Sequence, residues 1–133
     1  MRHRYLDSMS LVQEFGKPDL FLTMTCNPHW PEITECLQRG EEAHNRPDLL
    51  ARVFKAKLSI LNDKIMSGEI FGEPASVVHV IEFQKRGLPH AHFLIILKPA
   101  FKYLSPEAYD RIVCAELPDK RTDPYLYSQL LIT

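Results

Sequence analysis

The chain lacks the means to staple itself together covalently. Its 133 residues include three cysteines, Cys26, Cys36 and Cys114, far apart and with no C-x-x-C pair. Neither a disulfide framework nor a zinc ribbon is indicated, and a reducing compartment fits. Long hydrophobic runs are also missing. The longest apolar stretch, Phe93-Leu94-Ile95-Ile96-Leu97, is far too short to span a bilayer. Met1-Arg2-His3-Arg4 leads into no signal-peptide core. A soluble protein of the cytosol or nucleus is expected, with no membrane partner. Nor is there an excess of one charge. Sixteen basic and 17 acidic residues leave a net charge of −1, which argues against a strongly basic, free-standing nucleic-acid binder but leaves room for a local basic patch. With no internal repeat, low-complexity tract or linker, a single domain over residues 1–133 is expected, long enough to bury a core.

What is present is periodicity. Tyr5, Met9, Val12 and Phe15 recur at helical steps, predicting an amphipathic helix over residues 2–15 that stops at Gly16. Leu20 to Cys26 alternates, with Leu20, Leu22, Met24 and Cys26 on one face and Phe21, Thr23 and Thr25 on the other, as in a strand. Pro31 starts a short helix to Leu37. Asn45 is placed to cap a longer helix whose stripe is Leu50, Val53, Phe54, Leu58, Leu61 and Ile65, ending near Gly68. Two more strands, residues 76–83 and 89–97, flank the turn residues Lys85-Arg86-Gly87 and should form an antiparallel hairpin. Ser105-Pro106 caps a helix to about Glu116, and Asp123-Pro124 starts a last one. The expected fold is α+β: an antiparallel sheet with helices packed on it.

The chemistry concentrates at Pro89-His90-Ala91-His92. A strand repeats its faces every two residues, so His90 and His92 point the same way. Val78, Val80, Glu82 and Gln84 share a face on the preceding strand, and cross-strand neighbours near a hairpin end can converge. His90, His92 and Glu82, with Gln84 as substitute or support, therefore form a candidate site; His79 has the wrong parity. Two imidazoles and a carboxylate with open positions suit a catalytic metal. An H-x-H also arises by chance on surface hairpins, but a strand that opens with two histidines and continues as an apolar run wastes burial unless they act. Thr23, Thr25 and Asn27 either lie on a solvated face or line a polar cleft that bonds phosphate or sugar. Trp30 is either a core plug or a platform for a base. Lys85 and Arg86 either solubilise the hairpin tip or hold a phosphate.

Three blocks carry a resemblance: Phe21-Leu22-Thr23-Met24-Thr25-Cys26-Asn27-Pro28-His29-Trp30-Pro31-Glu32-Ile33; Arg46-Pro47-Asp48-Leu49 with Val53-Phe54; and Val80-Ile81-Glu82-Phe83-Gln84-Lys85-Arg86-Gly87-Leu88-Pro89-His90-Ala91-His92. They resemble the N-terminal, "helicase-like" domain of Helitron transposases, rolling-circle initiators of the HUH endonuclease superfamily. The resemblance extends to Asp110–Asp119 and implies a Rep/HUH-like fold with the His-x-His motif on a central strand. It implies a divalent metal, Mg or Mn, on His90 and His92, with Glu82, or else Gln84, as third ligand. It implies single-stranded DNA as substrate, a 5′-phosphotyrosine intermediate, and a helicase domain in full-length relatives. Manganese is the better match to imidazole ligands.

The chain departs from the pattern where the family carries a Y-x-x-x-Y pair on a helix. After the histidines come Tyr103, Tyr109, Tyr125 and Tyr127, with no such spacing. Tyr125 and Tyr127 are the nearest substitutes, but residues two apart face different sides of a helix. The apolar end Leu130-Leu131-Ile132-Thr133 adds to the expectation of a copy truncated at its C-terminus, lacking its nucleophile and inactive in cleavage. The alternative from another class is a non-catalytic single-stranded nucleic-acid binding module derived from a transposon. A metal-dependent hydrolase using water would need a general base that the sequence does not place.

Overall fold

In the computed structural model the described residues are 10, 13–14, 16–83, 88–113 and 116–130, with side chains described to Ser128. The chain divides into two compact units, Met1–Lys102 and Tyr103–Thr133. The first unit is α+β. Its elements in order are β1 (Leu20–Thr25), α1 (Pro31–Thr34), α2 (Pro47–Met66), β2 (Pro74–Phe83) and β3 (Pro89–Leu97), with single 3-10 turns at Ala43–Asn45 and Pro99–Phe101. The helix predicted over residues 2–15 falls mostly outside the described residues, of which Ser10, Gln13 and Glu14 are helical.

The sheet has the order β1-β3-β2 and both pairings are antiparallel. β3 is therefore hydrogen-bonded along both edges. Its burial alternates at the start: Pro89, Ala91, Phe93, Ile95 and Leu97 are buried, while His90, His92 and Leu94 are half-buried. Ala91, Phe93 and Ile95 retain no exposed surface. Their face meets α2, whose apolar stripe buries Leu49, Leu50, Phe54, Leu58 and Ile65. Toward the Phe83–Pro89 end of the sheet, Phe54 and Leu58 of α2 and His79, Ile81 and Phe83 of β2 line a groove of about 460 Å³. His79 stacks at a tilt on Phe93, with ring centroids 5.1 Å apart, so it does lie on the helix side and away from the even positions of β3.

Several boundaries differ from the sequence reading, among them that of α1, which ends at Thr34 rather than Leu37. Asn45 does not cap α2. It belongs to the preceding 3-10 turn, and Arg46 occupies the cap position with no side-chain cap bond. The guanidinium of Arg46 instead donates to Asp48 at 3.0 and 3.1 Å and approaches Glu41 at 3.3 Å. Asp48 is held well below the ordinary carboxylate range, first of all by its bond from Arg46. An ion-paired arginine thus replaces the side-chain cap, with Pro47 at the first helical position and the Asp48 charge in the first turn. β2 starts earlier than predicted, at Pro74, with an irregularity in pairing between Pro74 and Ser76; a proline is tolerated at the first residue of a strand. The helix at Ser105 is shorter, as described below. At the far end of α2, Gly68 has φ of +77° and its N–H donates to the Ile65 carbonyl at 3.1 Å, an end that suits glycine.

β1 is pinned to β3 at its first residue by Asp19. The Asp19 N–H donates to the Ile95 carbonyl at 2.9 Å. Its carboxylate accepts from the Leu97 N–H at 2.8 Å and from Lys102 Nζ at 3.1 Å, with 11% of the Asp19 side chain exposed. At the other end the Cys26 N–H donates to the Pro89 carbonyl at 3.0 Å. Burial pushes the Cys26 thiol up to about 11, so it stays protonated and poorly nucleophilic near neutrality.

The second unit holds α3 (Pro106–Asp110) and α4 (Pro124–Leu130). Ser105 caps α3 through the Ala108 N–H at 3.3 Å, as its Ser-Pro start predicts. The helix ends at Asp110 rather than near Glu116. Among the described residues beyond Asp110, Val113 is 61% exposed and Leu117 70% exposed, so they offer no buried stripe for further turns, and short helices depend on such packing. Cys114 and Ala115 lie outside the described residues. Tyr103 and Tyr109 meet edge to face at 5.2 Å.

Replacing Asp19 by Ala strips the acceptor from the Leu97 N–H and is expected to lower stability by about 1–3 kcal/mol, while Asn retains part of that. Urea midpoints of the three proteins measure it; equal midpoints for Asp19→Ala and wild type contradict the pinning role.

Candidate metal centre

The site is built by register. Across one edge of β3, Thr25 pairs with His90 and Thr23 with His92. Across the other, Glu82 pairs with His90 and Val80 with His92. Directly paired residues share a face, so two imidazoles, two hydroxyls and one carboxylate project from the side of the sheet opposite α2. The same side carries Phe21, whose ring lies 5.6 Å from the His92 ring at an interplanar angle of 9°. Phe21, Val78, Val80, Glu82, His92 and Leu94 line a shallow depression of about 340 Å³.

Each imidazole is engaged at the same atom. Thr23 Oγ1 and His92 Nδ1 are hydrogen-bonded at 2.9 Å, and Thr25 Oγ1 and His90 Nδ1 also at 2.9 Å. This leaves the two Nε2 atoms. His92 Nε2 lies 3.5 Å from Glu82 Oε2. His90 Nε2 is buried and, among the described residues, has no hydrogen-bond partner. An unpaired buried nitrogen costs about 1–3 kcal/mol. Histidines that bind a metal by one nitrogen characteristically have the other tied to a hydrogen-bond partner, and both of these match that pattern. Two imidazoles and a carboxylate also suit a divalent first-row ion in donor type. The three are not drawn together into a closed cage: among the described residues no cluster of three His, Cys, Asp or Glu side chains is poised to hold a metal ion. Glu82 keeps 65% of its side chain exposed, so its carboxylate has room to move toward the histidines.

Asn27 and Trp30, also singled out from sequence, are engaged elsewhere in the first unit. The Asn27 side chain accepts from the His29 N–H at 2.9 Å, closing its own turn. Trp30 is half-buried and its ring is capped by Lys57 Nζ at 4.9 Å, the same ammonium that pairs with Glu32 at 2.7 Å; this holds α1 to α2 by a cation–π contact. Gln84, Lys85 and Arg86 lie outside the described residues. Tyr125 and Tyr127 belong to the second unit. They sit on α4, where Tyr125 is 77% exposed and Tyr127 half-buried, as expected for positions two apart on a helix. Sequence reasoning did not assign Phe21 to the site; its place beside Thr23 on the outward face of β1 was the available signal.

Fold and face together define the class: an antiparallel α+β domain with a strand-borne histidine pair on the sheet face opposite its main helix. A family model described as the Helitron helicase-like domain at the N-terminus matches residues 1–95, and the chain belongs to that family, which gives it a transposase-related role. The match ends within β3, so the stretch Asp110–Asp119 lies beyond it. No curated protein matches the chain. Among the described residues no helix is long and apolar enough to cross a membrane.

The two faces of β3 should respond differently to truncation. Phe93→Ala removes a fully buried ring and is expected to cost about 3–5 kcal/mol. His92→Ala, one residue away and 31% exposed, is expected to cost less than about 1 kcal/mol. Urea unfolding of both variants measures the contrast; a comparable loss for His92→Ala would mean the imidazole is held for packing.

Proposed function

We propose that this chain is the metal-binding part of a single-stranded DNA nicking and strand-transfer domain of the HUH endonuclease type, from a rolling-circle transposase. The reading rests above all on His90 Nε2, buried and unpartnered among the described residues, on the face that also holds His92 and Glu82. Family membership supports the setting.

In this reading His90 and His92 hold a divalent cation, Mg or Mn, through Nε2, and Glu82 supplies a carboxylate oxygen. Gln84 remains a second candidate for that position. A bound cation would polarise and orient the scissile phosphate as a Lewis acid. The chain's own contribution is rigidity: both imidazoles ride on a strand paired along both edges, which holds them more firmly than a loop would. The depression beside Phe21 and Val80 gives the sugar or base next to that phosphate an apolar rest. Lys85 and Arg86, which lie between β2 and β3 in sequence, would add positive charge for a backbone phosphate.

The attacking group is assigned to no residue of this chain. A tyrosine pair at helical i, i+4 spacing would present both hydroxyls on one face, and Tyr125 and Tyr127 do not have that spacing. Binding without cleavage is therefore expected, and strand transfer by a full transposase would draw its tyrosine and its helicase domain from elsewhere.

The test has two arms on the 133-residue protein. Titration with Mn²⁺, followed by the paramagnetic resonance of the free ion, should show one site in wild type, weakened by more than about tenfold in His90→Ala/His92→Ala. Equal binding by the two proteins contradicts the metal assignment. With Mn²⁺ and labelled single-stranded DNA, no denaturant-stable protein–DNA adduct should form. An adduct abolished by Tyr125→Phe or Tyr127→Phe would place the nucleophile in this chain.

A further inference from the structure

From sequence Thr23 and Thr25 belong either to a solvated face or to the wall of a polar cleft; in the structure both hydroxyls are hydrogen-bonded to the histidines. The pattern repeats without variation: each threonine sits directly opposite a histidine, and each Oγ1 meets Nδ1 at 2.9 Å. Residues two apart on β1 thus match residues two apart on β3. Strand preference for β-branched residues explains a threonine at either position. It does not explain why both hydroxyls select the same ring nitrogen when both are exposed to water.

A neutral imidazole has one N–H and one lone pair, and the partner of one nitrogen decides what the other can do. A hydroxyl oxygen that accepts from Nδ1–H leaves Nε2 with a lone pair. At His90 that Nε2 is the buried atom without a partner among the described residues. With the opposite tautomer it would be a buried N–H with no acceptor and no capacity to bind a cation.

We propose that Thr25 and Thr23 are positioning residues that hold His90 and His92 as Nδ1–H tautomers, aiming both Nε2 lone pairs at one cation. The proposal deepens the metal-site reading and rests on it. The threonines touch neither the cation nor DNA in this role; they act through the rings.

The test uses Thr→Val, which keeps shape and branching but removes the hydroxyl, and Thr→Ser, which keeps the hydroxyl. Mn²⁺ affinity is expected to fall about tenfold in Thr25→Val and in Thr23→Val, and to stay within about threefold of wild type in the serine variants. Long-range ¹H–¹⁵N spectra of the metal-free protein at pH 8 should show His90 as the Nδ1–H tautomer in wild type and Thr25→Ser. A shift toward Nε2–H is expected in Thr25→Val. If Thr23→Val/Thr25→Val binds Mn²⁺ as tightly as wild type, while His90→Ala/His92→Ala does not, positioning is overturned and the metal reading stands. If wild type binds no Mn²⁺, the metal reading fails. The tautomer of His90 then decides separately: Nε2–H in wild type overturns the positioning role, and Nδ1–H lost in Thr25→Val supports it.

Discussion

The centre depends on the period-two alternation of β3, a strand held by hydrogen bonds along both edges. A slip of one residue would move every side chain to the other face. It would turn Ala91 and Phe93 outward and bury both histidines against α2. Register is therefore enforced by the core: Ala91, Phe93 and Ile95, with no exposed surface, cannot leave the helix side without losing several kcal/mol of burial, about 1.5–3 kcal/mol for each large side chain. Asp19 adds a polar restraint at one end through the Leu97 N–H, and the Cys26-to-Pro89 bond continues the pairing at the other. The imidazoles inherit their placement from residues that have nothing to do with their chemistry.

This division of labour explains why one sheet carries two such different faces. Toward α2 the contacts are apolar and closely packed. Away from it, a row of polar groups crosses all three strands, from Thr25 through His90 to Glu82. Its neighbour runs from Thr23 through His92 to Val80. The rows differ at one end only, carboxylate against valine, so Glu82 can serve either histidine; its 3.5 Å approach to His92 Nε2 is a diagonal contact of the kind sheets permit. Phe21 lies flat on His92 and restrains the plane of that ring.

Much of this was legible in the residues. The stripe Leu50, Phe54, Leu58, Ile65 declared α2, and two strand-like runs flanking the turn residues Lys85-Arg86-Gly87 declared the hairpin, because both are local patterns. What could not be read was the partner on the other edge of β3. The Thr23–His92 and Thr25–His90 bonds span 69 and 65 positions in sequence, and no local period encodes a register over such a distance. The threonines could only be read as polar residues on a strand face, open between solvent and a ligand, and the histidines as their partners stayed out of view. The cap of α2 failed for a related reason: Arg46 competes for the position by pairing with Asp48 and Glu41, while Asn45 is the better capping residue on propensity alone. Trp30 was open between core and platform, and the ammonium that settles its surroundings comes from Lys57, a helix away.

The central claim is that Nε2 of His90 and Nε2 of His92 share one divalent cation. Anomalous diffraction at the manganese edge, from crystals of this protein grown with Mn²⁺, tests it most directly. One peak bonded to both Nε2 atoms, with Glu82 or Gln84 turned toward it, is the predicted result. No peak at the pair, with the ion bound elsewhere or His90 Nε2 bonded to an ordered water, would contradict it.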